Sequence, residues 1–496
     1  MEISKPHAAL LSSPGMGHLI PVLELSKRLV THHDFTITVF VVSCHMSQAE
    51  SQVIQSSMSP KLFDIVQLPP VDTAHLVDAN ATVVTHIAVM MREARPAIRS
   101  AISSMNPRPT ALIVDLFGTE SLPIAEEHGL LKYVYIPSNA WFLALTVHVP
   151  FLDREVEGEY VDQTEPLRIP GCRAVRPEDV VDPMLDRTNQ QYIEYVRMGK
   201  EIPTSDGVLL NTWEELQPLT LAAFRDETLL GRFTKTPVYP IGPLTRPLSG
   251  SRSELFDWLD KQPSESVIFV SFGSGGSLSY KQMTELAWGL ELSQHRFIWV
   301  VRPPTKTAAD DTFFTAGTAS GDDDPSTYLP DGFLTRTKNK GLLVPIWAPQ
   351  VEVLSHPSVG GFLSHCGWNS TLESVANGVP MIVWPLYSEQ KMNSTLLAEE
   401  LGVAVRPKVL PSKKVVGREE IEKMVRQIIE DKEGKNATRA RVKELKYSAE
   451  KALSKGGSSY NALSRLAQQI TDLHATTESE ALRATLKRLF RKPLYF

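Results

Sequence analysis

The chain has 496 residues, of which 42% are hydrophobic and 22% charged, the balance of an ordinary globular protein. That length predicts two or three domains with cores of full size. The formal net charge of -6 argues against a broad basic surface for nucleic acid or anionic membranes.

The cysteines and the N-terminal stretch bear on the compartment. Cys44, Cys172 and Cys366 show neither paired nor metal-ligand spacing, which fits a reducing environment without disulfides. The start "MEISKPHAALLSSPG" lacks the basic and apolar regions of a signal peptide, and no run approaches the ~20 apolar residues of a membrane span. We therefore expect a cytoplasmic monomer with no integral membrane association and no nucleic-acid partner.

Strand-like apolar runs alternate with helical patterns along the whole chain. "HAALL", "FTITVFVVS" and "TALIVD" are typical of buried strands in the first half. The stretch Tyr239–Ser253 is rich in Pro, Gly and Ser and is the best linker candidate. After it, "SVIFVSFGSGG" starts the strand, glycine turn and helix again, and "RFIWVV", "GGFLSH" and "PMIVWPL" supply further strands. The pattern predicts an α/β protein of two Rossmann-like, doubly wound lobes, with ligands at the carboxyl ends of the strands.

The predicted organisation has five segments. They are a first lobe at 1–245, a linker at 246–264, a second lobe at 265–455, a C-terminal helix packing back on the first lobe at 456–474, and a basic tail at 475–496. In the tail, one helical face carries four apolar residues among basic ones: Leu482, Leu486, Leu489 and Phe490. This pattern fits either a surface-binding helix or a frayed end without a role.

The usual nucleotide fingerprints fail. "GMGHLI" has Gly15 and Gly17, but Ile20 stands where the dinucleotide motif needs a third glycine, and "SFGSGG" has the same defect. Neither a phosphate-binding P-loop nor a G-x-S-x-G nucleophile elbow occurs. The acidic run "GDDDP" at 321–325 sits in a polar loop and is interpreted as solvated surface, so no metal site is expected.

The densest group of candidate residues lies between Trp347 and Gln390. "GGFLSH" predicts a strand, "CGW" a tight turn and "NSTLESVANG" a helix. The start of that helix, flanked by His365, Asn369 and Ser370, would suit a phosphate or diphosphate. Ser370 and Glu373 match a capping box equally well, so the helix alone leaves both interpretations open.

Two further features of this stretch fit either a functional role or an ordinary structural one. Trp347 follows the apolar run "LLVPI" and would serve as an exposed platform for base stacking or as an ordinary core residue. Glu389 and Gln390 follow the next strand, where a carboxylate beside an amide suits sugar hydroxyls. The alternative is that this Glu-Gln pair is ordinary polar surface without a function.

This segment resembles the signature box of plant UDP-dependent glycosyltransferases, the family-1, inverting, two-lobed enzymes of GT-B type. "HCGWNS" and "PLYSEQ" carry the resemblance most specifically, and "SPGMGHLIP", "VDLFG", "VYPIGPL" and "SFGSGG" extend it along most of the chain. In detail the sequence is similar to phenol glucosyltransferases of the hydroquinone glucosyltransferase (arbutin synthase) type. The resemblance implies an acceptor-binding first lobe and a second lobe that binds the UDP-sugar.

The resemblance also implies which residues bind the donor. They are Trp347 on uracil, Gln350 on base and ribose, Glu373 on the ribose hydroxyls, His365, Asn369 and Ser370 with Ser274 on the diphosphate, Trp368, Glu389 and Gln390 on the sugar, and Ala348 and Tyr387 in the same site. A terminal Gln in this box is associated with glucose as the donor sugar.

A hydroxyl acceptor needs a general base, and histidine titrates nearest neutral pH. His18 follows the first strand, and Asp115 ends the strand "TALIVD", so both are expected at the same cleft, where the carboxylate would orient the imidazole. As bare residues each is more often structural. In the resembled family the matching His and Asp form the catalytic dyad, and the helix start after Trp368 replaces a metal at the diphosphate.

The acceptor pocket is expected in the first lobe. Its candidate residues are the aromatic Phe117, Trp141, Phe142 and Phe151 and the polar Ser138 and Asn139. The aromatic side chains suit a planar phenol, but they fit an ordinary hydrophobic core as well.

The sequence thus predicts an inverting UDP-glucose-dependent enzyme that makes β-glucosides of small phenols or other plant secondary metabolites or xenobiotics. Its partners would be the UDP-sugar and the acceptor, without cofactor or metal. The alternatives are a UDP-sugar-binding protein without catalysis, and a nucleotide-sugar epimerase or hydrolase on the same fold.

Overall fold

The computed structural model describes residues 4–42, 51, 53–55, 62–73, 75–78, 81–248, 254–305, 324–430 and 437–489, with side chains of the last helix through Thr477. Within these ranges, no helix is both long and apolar enough to cross a membrane. The predicted acidic run at 321–325 lies mostly outside the described residues.

The first sheet has seven strands, and every neighbouring pair is parallel. Its order is β3-β2-β1-β4-β5-β6-β7. The strands are β1 His7–Ser12, β2 Thr36–Val41, β3 Asp64–Gln67, β4 Ala111–Asp115, β5 Leu131–Ile136, β6 Gly207–Leu210 and β7 Val238–Pro240.

The second sheet repeats the plan with six parallel strands in the order β10-β9-β8-β11-β12-β13. They are β8 Val267–Ser271, β9 Arg296–Val301, β10 Gly341–Pro345, β11 Val359–Ser364, β12 Met381–Val383 and β13 Ala404–Val405. Both sheets therefore have the doubly wound order of a dinucleotide-binding fold, in which strands are added first on one side of the first strand and then on its other side. The prediction of two Rossmann-like lobes is confirmed.

Helices connect the strands and cover both sheets. In the first lobe they are α1 Met16–His33, α2 Val83–Glu93, α3 Arg95–Ser104, α4 Leu122–Glu127, α5 Ala140–Glu155, α6 Gln190–Glu201 and α7 Pro218–Arg225. The others are α8 Glu254–Leu259, α9 Tyr280–Ser293, α10 Phe333–Thr337, α11 Gln350–Ser355, α12 Trp368–Asn377, α13 Gln390–Thr395, α14 Arg418–Ile429, α15 Ala437–Leu453 and α16 Ser458–Leu489. The central strands β1, β4, β8 and β11 are buried along their whole length, which explains their unbroken apolar sequences.

The last helix returns to the first lobe. Leu466, Ala467 and Ile470 of α16 are buried in the core beside β1 and β2, and the His474 ring lies 3.0 Å from Thr110 Oγ1. The predicted boundary at 475 is wrong, because α16 continues unbroken to Leu489 through a stretch without Gly or Pro. The predicted apolar face of the tail lies outside the residues whose side chains are described.

The two lobes meet at the carboxyl ends of their strands. Trp368 Nε1 of the second lobe donates to the Asn211 carbonyl of the first at 2.7 Å, and Asn369 Nδ2 donates to the Gly17 carbonyl at 3.2 Å. The chain changes from one sheet to the other between Pro240 and Val267. These contacts enclose a cleft between the lobes.

Candidate active site between the lobes

The cleft holds a cavity of about 250 Å³ lined by both lobes. Sixteen of the predicted site residues line it: His18, Phe117, Ser138, Phe142, Ser274, Trp347, Ala348, Gln350, His365, Trp368, Asn369, Ser370, Glu373, Tyr387, Glu389 and Gln390. Asp115, Asn139, Trp141 and Phe151 are not among the lining residues. The cavity therefore brings the predicted donor site and the predicted base together.

His18 lies in the first turn of α1, directly after the turn that leaves β1. Gly15 has φ 102°, a conformation that favours glycine, and it lets the chain turn from strand into helix within a few residues. The His18 side chain is 17% exposed, and its ring packs 5.2 Å from the ring of Phe117. Its Nδ1 lies 3.2 Å from Asp115 Oδ2, so Nε2 is on the opposite edge of the ring.

Asp115 is fully buried behind this histidine. Its Oδ2 accepts hydrogen bonds from the backbone N–H of Ser13, at 2.8 Å, and from the Ser13 hydroxyl. These two bonds fix the carboxylate where it faces the imidazole, because Ser13 begins the short turn that leads into the helix of His18. The sequence analysis missed Ser13, since a serine beside a strand end carries no signal of its own.

His365, the second histidine of the cleft, has a different environment. It is buried directly after β11, and a Cβ atom on either Gly273 or Gly367 would come within 2.5 Å of its ring. Burial and, to a lesser degree, the nearby charge of Arg302 together lower the pKa of His365 to about 3. His365 is therefore neutral at physiological pH and suits hydrogen bonding rather than proton transfer.

The helix after His365 keeps its N-terminal N–H groups free of side-chain caps. α12 begins at Trp368 with Gly367 at the N-cap, and within the described part of the chain no side-chain hydrogen bond caps that end. The capping-box alternative is wrong, because Ser370 lies inside the helix and accepts from Gln350 Nε2 at 2.9 Å. Free N–H groups at a helix start form a ready anion site.

Glu373 and Gln350 form a polar pair one turn further along. Gln350 Nε2 donates to Glu373 Oε2 at 2.7 Å, and Arg246 Nε lies 3.7 Å from Glu373 Oε1. Burial raises the pKa of Glu373, and the charge of Arg246 opposes that shift. Arg246 falls within the predicted linker, and the sequence analysis did not connect it with the site.

Trp347 stands at the rim of the cleft with 52% of its surface exposed. The core interpretation is therefore wrong. Ile346 before it adopts φ 63°, and this left-handed turn brings the indole out of the end of β10. An exposed aromatic face beside an anion site and two polar side chains can stack on a planar base.

Glu389 ends the turn between β12 and α13, and Gln390 is the first residue of α13. Gln390 Oε1 accepts from the backbone N–H groups of Leu386, at 3.0 Å, and Tyr387, at 3.2 Å. The side-chain carbonyl of Gln390 therefore stabilises the turn, and its Nε2 group carries the remaining hydrogen-bond donors. Glu389 Oε1 accepts from Ser138 Oγ of the first lobe at 3.2 Å, and Oε2 accepts from Ser388 Oγ at 2.7 Å.

Arg302 is a lining residue that the sequence analysis missed. It follows β9, and its guanidinium donates to the carbonyls of Gly276, at 3.1 Å, and Ile346, at 3.0 Å. No carboxylate of the described residues forms an ion pair with it, and desolvation lowers its pKa. A half-buried guanidinium without a carboxylate partner favours an anion in the cavity. The signal was present, because "WVVRPP" places an arginine directly after a buried strand.

Three of the predicted acceptor residues do not face the cavity. Asn139 caps α5 by accepting from the Phe142 N–H at 3.1 Å, and it donates to Asn393 Oδ1 of the second lobe at 2.6 Å. Trp141 is buried in the core, and Phe151 packs against the rings of His148 and Phe233. Because α5 is apolar all round, its sequence could not tell which face borders the cavity, and only Phe142 does.

The lining also includes apolar residues of the first lobe that the sequence did not single out. They are Met16, Ile20, Val84, Leu116, Val181 and Met198. Among the residues that the structure describes, no three His, Cys, Asp or Glu side chains are grouped as metal ligands would be. Metal independence stays a prediction.

Three comparisons place this geometry among known proteins. A sequence model of the family described as "UDP-glucoronosyl and UDP-glucosyl transferase" matches residues 245–442. The chain is 63% identical over 479 residues to anthocyanidin 3-O-glucosyltransferase 5 of Manihot esculenta, covering 96% of this chain and 98% of that protein. It is 45% identical over 467 residues to the hydroquinone glucosyltransferase of Rauvolfia serpentina, with 93% and 97% covered. The crystal structure of TcCGT1 in complex with UDP matches with a TM-score of 0.89 at 53% identity, over 95% of this chain and all of that one.

Proposed function

The chain belongs to the UDP-glucoronosyl and UDP-glucosyl transferase family, and from this premise we propose that it transfers glucose from UDP-glucose to a hydroxyl group of a small phenolic acceptor, with inversion at the anomeric carbon. Membership confirms the predicted enzyme class, a glycosyltransferase that uses a UDP-sugar and a small acceptor. The hexose, the stereochemistry and the acceptor are the proposed part.

One observation carries the proposal: His18, with Asp115 behind it, faces the same 250 Å³ cavity as the free start of α12. In the proposed reaction, His18 Nε2 removes the acceptor proton as the acceptor oxygen attacks the anomeric carbon. The bond from that carbon to the diphosphate breaks on the opposite face, which converts an α-linked donor into a β-glucoside. Asp115 fixes the imidazole tautomer and stabilises the imidazolium.

The leaving diphosphate needs positive charge or hydrogen-bond donors. We assign these to the N–H groups of α12, the Arg302 guanidinium and the neutral His365 ring, which lie at the carboxyl ends of β9 and β11, the two strands that flank β8. Donors held in place before the reaction stabilise developing charge without reorganisation. Arg302 and the helix start supply the positive charge that a metal supplies in other transferases.

The choice of glucose and of a phenol rests on two relatives and on the wall of the cavity. The names of these relatives describe glucosyl transfer to an anthocyanidin and to hydroquinone. Gln390 ends the box, and the first-lobe side of the cavity is largely apolar, with Phe117 and Phe142 beside His18. An apolar wall with one base at its edge suits a flat aromatic alcohol.

The experiment offers purified protein UDP-glucose or UDP-galactose together with phenols, flavonoids and anilines. We expect a hexose adduct by mass spectrometry with UDP-glucose and a phenol, and a β-anomeric proton by NMR. Release of UDP without any acceptor would favour a hydrolase, donor isomerisation an epimerase, and UDP-glucose binding without turnover a regulatory binder. Each of these outcomes contradicts the proposal.

We further propose that the enzyme works without metal, as a monomer in the cytoplasm. Transfer should persist at full rate in excess EDTA, and light scattering should give the mass of one 55.1 kDa chain. Fractionation of cells that express the protein should recover the activity with the cytosol.

A further inference from the structure

A loop of the first lobe holds the turn that presents the proposed sugar-binding residues. Asp182 begins a short helical turn, Asp182–Leu185, and its neighbours Val181 and Pro183 line the cavity. The backbone N–H of Asp182 donates to the Ser388 carbonyl at 3.1 Å, and Asp182 Oδ2 accepts from the Ser388 N–H at 2.6 Å. One residue of the acceptor lobe thus bonds to both backbone groups of a residue in the donor lobe.

The same carboxylate neutralises a buried charge. Asp182 Oδ1 accepts from Lys391 Nζ at 2.7 Å, and the Lys391 side chain is only 3% exposed. Among the described residues, Asp182 is the only acidic side chain paired with this ammonium group. A buried ammonium ion is costly unless it is paired, so its burial depends on contact between the lobes.

The turn itself has a conformation that needs support. Ser388 has φ 61°, the left-handed region that favours glycine. Ser388 directly precedes Glu389 and Gln390, and its hydroxyl donates to Glu389 Oε2 at 2.7 Å. The bonds from Asp182 are therefore placed to hold Ser388 in this conformation and to set the direction in which the next two side chains project.

We propose that Asp182 is a positioning residue for hexose recognition, which makes the sugar subsite of the second lobe complete only when the first lobe is docked on it. This rests on the proposed function, because it takes Glu389 and Gln390 as the residues that meet the sugar. The residues proposed for uridine and diphosphate, Trp347, Glu373 and the start of α12, lie on other elements. Loss of Asp182 should therefore affect the hexose and spare the nucleotide.

The test compares the affinities of UDP, UDP-glucose and UDP-galactose by calorimetry, in wild-type protein and in Asp182→Ala. We expect the variant to bind UDP as wild type does and to lose about tenfold of its preference for UDP-glucose over UDP-galactose, the size of one lost hydrogen bond to a charged group. Asp182→Asn keeps an oxygen for Ser388 but leaves Lys391 unpaired, and should lose less.

Two matched variants show whether the effect is specific. Asp186→Ala removes a carboxylate of the same loop that accepts from Thr188 and from the backbone of Asn189, both in that loop, and should leave all three affinities unchanged. Asp179→Asn weakens another cross-lobe contact, with Arg406 and Thr395, without touching the turn. It should lower the melting temperature but keep the preference between the two sugars.

The outcomes are separable from those of the transfer assay, because binding needs no acceptor. An unchanged glucose preference in Asp182→Ala would overturn the positioning role, and so would an equal loss in Asp179→Asn. A parallel loss of UDP affinity in Asp182→Ala would also overturn it, since this indicates general damage to the donor lobe. Absence of transfer in the wild type contradicts the proposed function alone.

Discussion

The two histidines of the cleft, His18 and His365, have similar positions in the fold and opposite surroundings. Each follows the carboxyl end of a central parallel strand at a glycine-bearing turn, His18 in the first turn of the next helix and His365 just before its helix. His18 has a buried carboxylate 3.2 Å from Nδ1, whereas His365 has the Arg302 guanidinium nearby and glycines against its ring.

The difference shows that neighbours, not position, decide what a histidine does in this fold. A carboxylate stabilises the protonated imidazole that a general base becomes during reaction. A guanidinium and burial oppose protonation, which leaves a neutral ring beside an anion site. In the proposed function, one strand, turn and helix unit serves proton removal in the first lobe, and its counterpart serves the diphosphate in the second.

The largest effect is expected from removing the negative charge of Asp115 beside His18. In Asp115→Asn, an amide group would face Nδ1 and favour the wrong imidazole tautomer. We expect the transfer rate to fall by about 10²–10⁴-fold, the usual worth of general-base catalysis, while UDP affinity stays unchanged. Steady-state kinetics and calorimetry measure the two quantities. The control is Asp34→Asn, at the exposed C-terminal end of α1, the helix that carries His18. A control variant that transfers equally slowly would contradict the assignment.

A smaller effect is expected from the charge beside His365. Arg302→Met keeps much of the side-chain volume and removes the guanidinium, so UDP should bind about 10–100-fold more weakly. The binding of uridine, which lacks the diphosphate, should not change. Arg336→Met is a matched control, because Arg336 pairs with Glu291 and stacks on Trp288 away from the cavity. If UDP and uridine lose affinity equally, the counter-charge role is wrong.

The parts of the site that follow a motif could be predicted from the sequence. His18, Asp115 and the stretch from Trp347 to Gln390 stand at predictable strand ends, and these ends meet at one edge of each sheet. Arg302 obeys the same rule but was overlooked, since a single arginine after a strand has no distinctive spacing.

The remaining residues could not be found this way, for physical reasons. Asp182 acquires its role from Ser388, 206 residues away, and only the docking of the lobes brings them together. Trp141 and Phe151 share an apolar helix with Phe142, and their burial depends on the packing of α5 rather than on residue type. The boundary predicted at 475 fell inside a continuous helix because nothing in the sequence marks it.

The smallest expected effect concerns stability and sharpens the contrast between the two rings. His365 has a pKa of about 3 in the folded protein, whereas an unfolded histidine titrates near 6.5. Between these values the unfolded chain binds the extra proton, so the free energy of unfolding decreases as the pH falls from 6.5 toward 3. His365→Gln should reduce this slope by up to about 1.4 kcal/mol per pH unit.

Urea unfolding at several pH values between 4.5 and 7.5 measures the slope. His32→Gln makes the same substitution at an exposed histidine and is the matched control. A slope that His365→Gln does not change would mean that His365 is protonated in the folded state, against the role given to it here.

The most direct measurement compares His18→Ala with His365→Ala in two assays, glucosyl transfer to a phenol and UDP affinity by calorimetry. We predict that His18→Ala binds UDP like the wild type but transfers at least about 100-fold more slowly. We predict that His365→Ala binds UDP more weakly. A His18→Ala enzyme that retains full transfer, or that loses UDP affinity as His365→Ala does, would contradict the division of roles between the two lobes.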